Sequence, residues 1–421
     1  MKRYLSMILM AALCVSAVSC RDKADVSAIG QGELEDGQGK KLDAYQQRSK
    51  LETVGKSMLQ ELDVDNWKAS AEFLRKVGEK FDDESYDVSE IEDWMEDMED
   101  LLVSETYENP YTVTKVTARL SAFKGRFTEV GNRFVRSDSN DLSLVFSVGG
   151  EQVTITFTVK ERDDDLFVMD MSDEWDGERT SVYVRAPRSA DLVINRGSKE
   201  FCHIHISLDV NDVNRDGCLT PDADSFGLSV SFKLDEYSME LKQAEYASDH
   251  AVVSMLFSRG RQTLLAYEAR ARYRVDYNKE DIEDTEAEFL SADVSVDVMG
   301  KVQLKGFIPD FANLEHWMDL AYEANDDEET FRRYVTEAEK CIAIGVYYDG
   351  NNTLQATLGL EPYYETGYGY NGRGWEVMPV IRFADGTSYS FESFFDEEEF
   401  SGLFDALEDW IAKIERMLGI N

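Results

Sequence analysis

The first sustained pattern in the chain is helical. Leu51, Val54, Met58 and Leu62 fall at i, i+3, i+7 and i+11, a single apolar stripe at 3.6 residues per turn. Phe73, Leu74, Val77 and Phe81 repeat the spacing. Ser89 and Glu92 form the S-x-x-E pattern of a capping box, and with Ile91, Trp94, Met95, Met98, Leu101 and Leu102 they predict a third helix. Pro110 closes this helical section.

From Tyr111 to about Phe307 the period drops to two. Leu142, Leu144, Phe146 and Val148 alternate with polar residues or smaller apolar ones, Gly149-Gly150 turns the chain, and Val153, Ile155, Phe157 and Val159 alternate back. That is the signature of a β-hairpin. Cys202, Ile204, Ile206, Leu208 and Val210 share one strand face, followed by Leu228, Val230, Phe232 and Leu234, with a turn at Asp235-Glu236 before Met239 and Leu241. Val294, Val296 and Val298 lead through Gly300 to Val302 and Leu304. One apolar and one polar face with hairpin-length connections predict an antiparallel meander, its polar face wet or lining a cavity.

The C-terminal part mixes the two periods. Leu314, Trp317, Met318 and Tyr322 predict one helix, and Phe331, Tyr334, Val335 and Ala338 another. Ile342, Ile344 and Val346 predict a strand turned at Asp349-Gly350, and a second hairpin turns at Asp385-Gly386. Phe400, Leu403, Phe404, Leu407, Ile411, Ile414 and Leu418 place a helix at the end. The expected class is α+β: N-terminal helices, a large curved antiparallel β-meander sheet, and C-terminal helices packed with two β-hairpins.

The N-terminus changes where such a body is expected to live. Lys2 and Arg3 precede an uncharged run from Tyr4 to Val18, then the small Ser19 and Cys20. Basic, apolar and small-residue regions in that order are the layout of a secretory signal peptide. With a cysteine at the cleavage point, the segment resembles the lipobox of bacterial lipoproteins, although Ala17 stands where leucine is commonest. The resemblance implies lipidation of Cys20 and removal of residues 1–19. The stretches Met299–Gly306 (MGKVQLKG) and Pro379–Tyr389 (PVIRFADGTSY) resemble an uncharacterised family of large lipoproteins of Bacteroides-type gut anaerobes. That second resemblance implies an extracytoplasmic lipoprotein and brings no catalytic residues with it. The expected organisation is a signal peptide over 1–19, a lipidated flexible tether over 20–40, a helical segment over 41–109, an antiparallel β region over 110–308 and an α+β segment over 309–421. Residues 41–421 are expected to form one compact body.

Charge narrows the partners. Against 44 Lys+Arg stand 84 Asp+Glu, a formal net charge of −40. Such a field repels nucleic acid, excluding it as a partner, and favours divalent cations and solubility. Cys202, Cys218 and Cys341 are the cysteines beyond Cys20. Cys202 and Cys218 flank a loop and could pair in an oxidising compartment, but the apolar face of Cys202 favours a buried free thiol.

Chemistry is sparse. Asp212, Asn214 and Asp216, with Gly217 and Thr220, supply oxygens at positions 1, 3, 5 and 9 of a Ca²⁺ loop. Position 12 is Ala223, where that loop needs a carboxylate, and the same residues suit a polar turn. Ca²⁺ is thus the one cofactor the sequence offers. Gly367, Gly369 and Gly372 match G-x-G-x-x-G but lack the strand before and helix after that a dinucleotide needs. Tyr363, Tyr364, Tyr368, Tyr370 and Trp375, near Glu361, Glu365 and Glu376, offer flat faces beside carboxylates, as a glycan site would. Packing of these rings on the sheet or on one another is the favoured reading, since aromatic residues are usual in strands. His203 and His205 sit on one strand face and could share a metal, but no third ligand is near in sequence, which favours exposed structural histidines. The sequence-level expectation is a non-enzymatic, lipid-anchored protein of the outer membrane that binds a ligand or serves assembly. The membrane itself, a glycan, a lipid or an envelope protein would be its partner. A glycan-binding surface lipoprotein and a carboxylate hydrolase are the alternatives.

Overall fold

The computed structural model describes residues 30–82, 86–94, 124–162, 168–170, 173–175, 178–180, 183–185, 187–210, 225–247, 249–276, 286–365, 374–396 and 398–418. The fold is α+β with strand predominating. The chain divides into two compact units, Asp65–Lys242 and Met1–Val64 with Gln243–Asn421, and the strand Tyr237–Ala247 carries the chain from one to the other. Among the described residues no helix is long and apolar enough to cross a membrane.

In the unit Asp65–Lys242 the strands hydrogen-bond in the order Arg133–Ser137, Gly125–Val130, Leu142–Val148, Glu151–Lys160, Ser189–Arg196, Lys199–Val210, Ser225–Leu234. The pairing of Gly125–Val130 with Leu142–Val148 is parallel, and the other ladders in this series are antiparallel. The hairpin at Gly149-Gly150 forms as its residues predict: both glycines have positive φ, +59° and +84°, which matches the strand twist. The helix Val64–Asp82 lays Phe73 and Val77 on the sheet against Phe127, Phe134, Phe146, Val153 and Phe201. Trp67 stacks on Tyr237 with centroids 4.1 Å apart.

The third helix starts differently from its capping-box pattern. Its first i→i−4 bond runs from the Glu92 N–H to the Val88 carbonyl, so the chain is already turning one residue before Ser89. Asp87 supplies the side-chain oxygen, accepting from the Ser89 N–H at 3.1 Å and its hydroxyl at 2.6 Å. A β-bulge between Glu200 and Cys202 leaves Phe201 and Cys202 both buried. Cys202 is a free thiol, while Cys218 lies outside the described residues. Ile204 still packs on the core, but Ile206 is 40% exposed, so core cover over this strand ends between them.

In the other unit the strand order is His250–Arg259, Gln262–Asp276, Glu286–Val298, Val302–Ile308, Ala343–Tyr348, Ala356–Glu365, Gly374–Phe383, Ser388–Ser390, all antiparallel. The helix Ala44–Glu61 begins with a capping box of Asp43 and Gln46. The helices Phe311–Glu323 and Glu328–Glu339 are capped by Asp310 and Asp327. Phe331 and Val335 pack with Ala321 on Leu360, Trp375 and Val377. Ala321, not the neighbouring Tyr322, is the buried residue of the first of these helices. Phe383, Phe394 and Phe400 form a second core with Leu51, Leu403 and Phe404.

Residues 30–42 run along this unit as a strap held by polar contacts. The Gly30 N–H donates to Asp293 Oδ1 at 2.6 Å, Gly37 to the Asn352 carbonyl at 2.8 Å, Gly39 to Thr353 Oγ1 at 2.9 Å and Leu42 to Gln355 Oε1 at 2.8 Å. Gly32 lies so close over the Phe307 ring that a Cβ there would overlap it. Gln47, fully buried, closes the strap's end: its amide donates to the Leu42 and Gln355 carbonyls at 3.0 and 2.9 Å.

Candidate functional site

Side chains alternate between the faces of a strand, so register decides which residues meet. Four adjacent strands, Glu151–Lys160, Ser189–Arg196, Lys199–Val210 and Ser225–Leu234, align their alternation. Ile155, Ile194, Cys202 and Leu234 form one row facing the helix Val64–Asp82, with Phe157, Leu192, Ile204 and Phe232 beside it. The opposite face is almost wholly polar. Thr158, Asp191, His205 and Ser231 form one row, flanked by Thr156, Val193, His203 and Lys233 and by Lys160, Ser189, Ser207 and Ser229.

Asp191 organises the centre of this face. Its Oδ1 lies 2.9 Å from His203 Nε2 and 2.7 Å from His205 Nδ1. Burial opposes the charge on Asp191, yet the hydrogen bonds from both rings outweigh it and hold the carboxyl below its usual range. An ionised carboxylate only accepts, so both imidazoles donate to it. The histidines thus meet through a carboxylate oxygen. Among the described residues no three His, Cys, Asp or Glu side chains stand so as to hold a metal ion. Glu200, 3.7 Å from His203 Nδ1, is engaged by Lys233 at 2.7 Å.

Beside this cluster an open cavity of about 490 Å³ lies at the ends of the same strands. Lys160, Arg188, Ser189, His205, Ser207 and Asp209 are among its walls. The hydroxyls of Ser207 and Ser229 lie 2.8 Å apart. The volume falls in the range of small-ligand sites, about 300–1,000 Å³. What the arrangement can do is bind: it offers cations, hydroxyl donors and carboxylate acceptors on a rigid ladder.

The aromatic group separates into two roles. Trp375 packs inward, its ring 6.3 Å from Phe331 and covered by the Arg332 guanidinium at 4.9 Å. Tyr364 stands opposite Trp375 and meets it edge-on at 5.3 Å. Tyr363 stands opposite Glu376 and donates its hydroxyl to Glu365 at 3.2 Å; burial first, then the Glu365 charge, pushes that phenol's pKa up. Tyr363 and Tyr364 are 37% and 46% exposed. Tyr368 and Tyr370 lie outside the described residues, as do Cys20 and the Asp212, Asn214, Asp216 and Thr220 loop.

Sequence reasoning paired His203 with His205 and missed Asp191, Lys160, Arg188 and Ser207. The signal was in the alternation: Ser189, Asp191 and Val193 occupy the odd positions between Ala190, Leu192 and Ile194. Only the register assigns them to the histidine face. No protein-family model, curated protein or solved structure matches this chain.

Proposed function

We propose that this chain is a lipid-anchored, non-enzymatic protein of the cell envelope that binds a ligand at the outer membrane. The observation that carries the reading is Cys20 at the end of a basic, apolar and small-residue leader. The polar sheet face supports the binding half of it, because a ladder of donors and acceptors facing an open cavity suits a ligand held by hydrogen bonds. Metabolic labelling with palmitate tests the anchor. Wild type is expected to take up label and to fractionate with the outer membrane, and Cys20→Ser to lose both. Equal labelling of the two proteins overturns the anchor.

A second reading, glycan binding, is favoured by the exposure of Tyr363 and Tyr364 beside Glu365 and Glu376. Trp375 belongs to the packing there, so the informative substitution is Tyr364→Ala. On a carbohydrate array, retention by wild type and loss in Tyr364→Ala supports this reading; absence of retention by wild type ends it.

A further inference from the structure

The cavity on the polar face has a charge character opposite to that of the chain. Acids outnumber bases 84 to 44, and carboxylates neutralise several bases of this unit. Lys80 pairs with Glu129, Arg196 with Glu151, Lys199 with Asp235 and Lys233 with Glu200 in this same unit. Among the bases without a carboxylate partner among the described residues, Lys160 and Arg188 are set apart by lining the cavity. Lys160 ends one strand opposite Ser189, and the Arg188 N–H, just before the next strand, is bonded to the Lys160 carbonyl at 2.8 Å, so the two residues are backbone neighbours at one corner of the cavity.

Around them the walls are Ser189, Ser207, Asp209 and His205, with Leu208 as the apolar member. Ser189 and Ser207 face each other across the next ladder, with the Ser229 hydroxyl behind Ser207. Asp209 stands at the rim and is exposed. A bare inorganic anion would use the cations and meet a like charge at Asp209. A ligand with one anionic group and several hydroxyls uses both halves: the anion at Lys160 and Arg188, hydroxyls on Asp209 and the serines. We propose that this corner of the sheet binds an acidic sugar or similar small polyol carrying a single carboxylate or phosphate. This rests on the ligand-binding reading above and gives that ligand its chemical class.

The test is titration calorimetry of the full chain at low salt with glucuronate, glucose and inorganic phosphate. Glucuronate is expected to bind, with glucose and phosphate each at least tenfold weaker. The variant carrying both Lys160→Gln and Arg188→Gln is expected to lose tenfold or more for glucuronate while keeping wild-type circular dichroism and melting temperature, since both side chains are exposed. Ser207→Ala is expected to weaken glucuronate less. No heat with glucuronate, equal affinity for glucose, phosphate binding that exceeds glucuronate binding, or an unchanged double variant each overturn the proposal. Palmitate labelling of Cys20 is independent of these outcomes, so the anchor stands or falls separately. Binding of glucose equal to glucuronate would remove the anionic class while leaving a ligand-binding protein.

Discussion

The Tyr348 hydroxyl donates to Gln47 Oε1 at 3.0 Å, both side chains buried, and this contact joins the first helix of its unit to a central strand. Burial pushes the phenol's pKa up, so Tyr348 is a donor at neutral pH. The Gln47 amide spends both its hydrogens on the carbonyls of Leu42 and Gln355.

Removing Gln47 strands three partners at once, the half-buried Leu42 carbonyl and the buried Gln355 carbonyl and Tyr348 hydroxyl. Gln47→Ala is expected to cost about 2–4 kcal/mol by urea denaturation, since each unpaired buried polar group costs about 1–3 kcal/mol. Tyr348→Phe is expected to cost about 1–2 kcal/mol, and the double variant less than the sum. Additive losses would mean the two side chains do not act together.

Asp293, which accepts from Gly30, sits above its ordinary carboxylate range because burial disfavours its charge, only partly offset by the Gly30 N–H and Arg270. A raised folded pKa means that ionisation costs stability. The cost is absent below the unfolded pKa of about 3.9, grows as pH rises through the higher folded value, and is complete above it. Asp293→Asn keeps an accepting oxygen and never ionises. It is therefore expected to melt higher than wild type at pH 7, with the gain disappearing below pH 4. A lower melting temperature at pH 7 would show that the charge itself holds Gly30.

Gly32→Ala forces a methyl into the Phe307 ring, so the strap must lift. Limited proteolysis within residues 30–42 is expected to accelerate at least tenfold, the effect of about 1.4 kcal/mol in a local opening equilibrium. Phe307→Ala in the same chain makes room and is expected to restore much of the protection relative to Phe307→Ala alone. If proteolysis is unchanged in Gly32→Ala, the close approach is not what holds the strap.

On the polar face the sign is reversed. Asp191 has a folded pKa below its unfolded value of about 3.9, so its contribution is complete above that pH and is lost as pH falls through the lower folded value. Asp191→Ala is expected to cost about 1 kcal/mol at neutral pH, and its melting curve should converge on wild type toward pH 2–3. A constant difference down to pH 2 would assign the loss to packing.

What could be read in advance divides along physical lines. Phe331, Val335 and Ala338 announce their helix because one amphipathic face must be buried, and the structure buries all three. Gly149-Gly150 and Gly386 mark turns because only glycine takes those positive φ values readily, and the turns form there. Ser89 was less informative: a serine before an apolar run suits a cap, but here Ser89 is itself the donor, giving its N–H and hydroxyl to Asp87 two residues earlier. The polar cluster was hidden more deeply. Asp191 is 12 and 14 positions from the histidines it joins, across a hairpin turned at Gly197-Ser198, and the bulge between Glu200 and Cys202 shifts the register that this turn alone would set. The strap carries no apolar period at all, and its bonds reach partners 263 to 315 positions away.

The bond from Gly30 to Asp293 also sets a leash length. With a lipid on Cys20, only the segment 20–30 separates the bilayer from a point fastened to the folded body, and ten extended residues span at most about 33–36 Å. That is close to the thickness of one bilayer's hydrocarbon core. So moored, the body would stay close to its own membrane, and its encounters with a ligand would follow lateral diffusion of the anchor more than free swimming of the body.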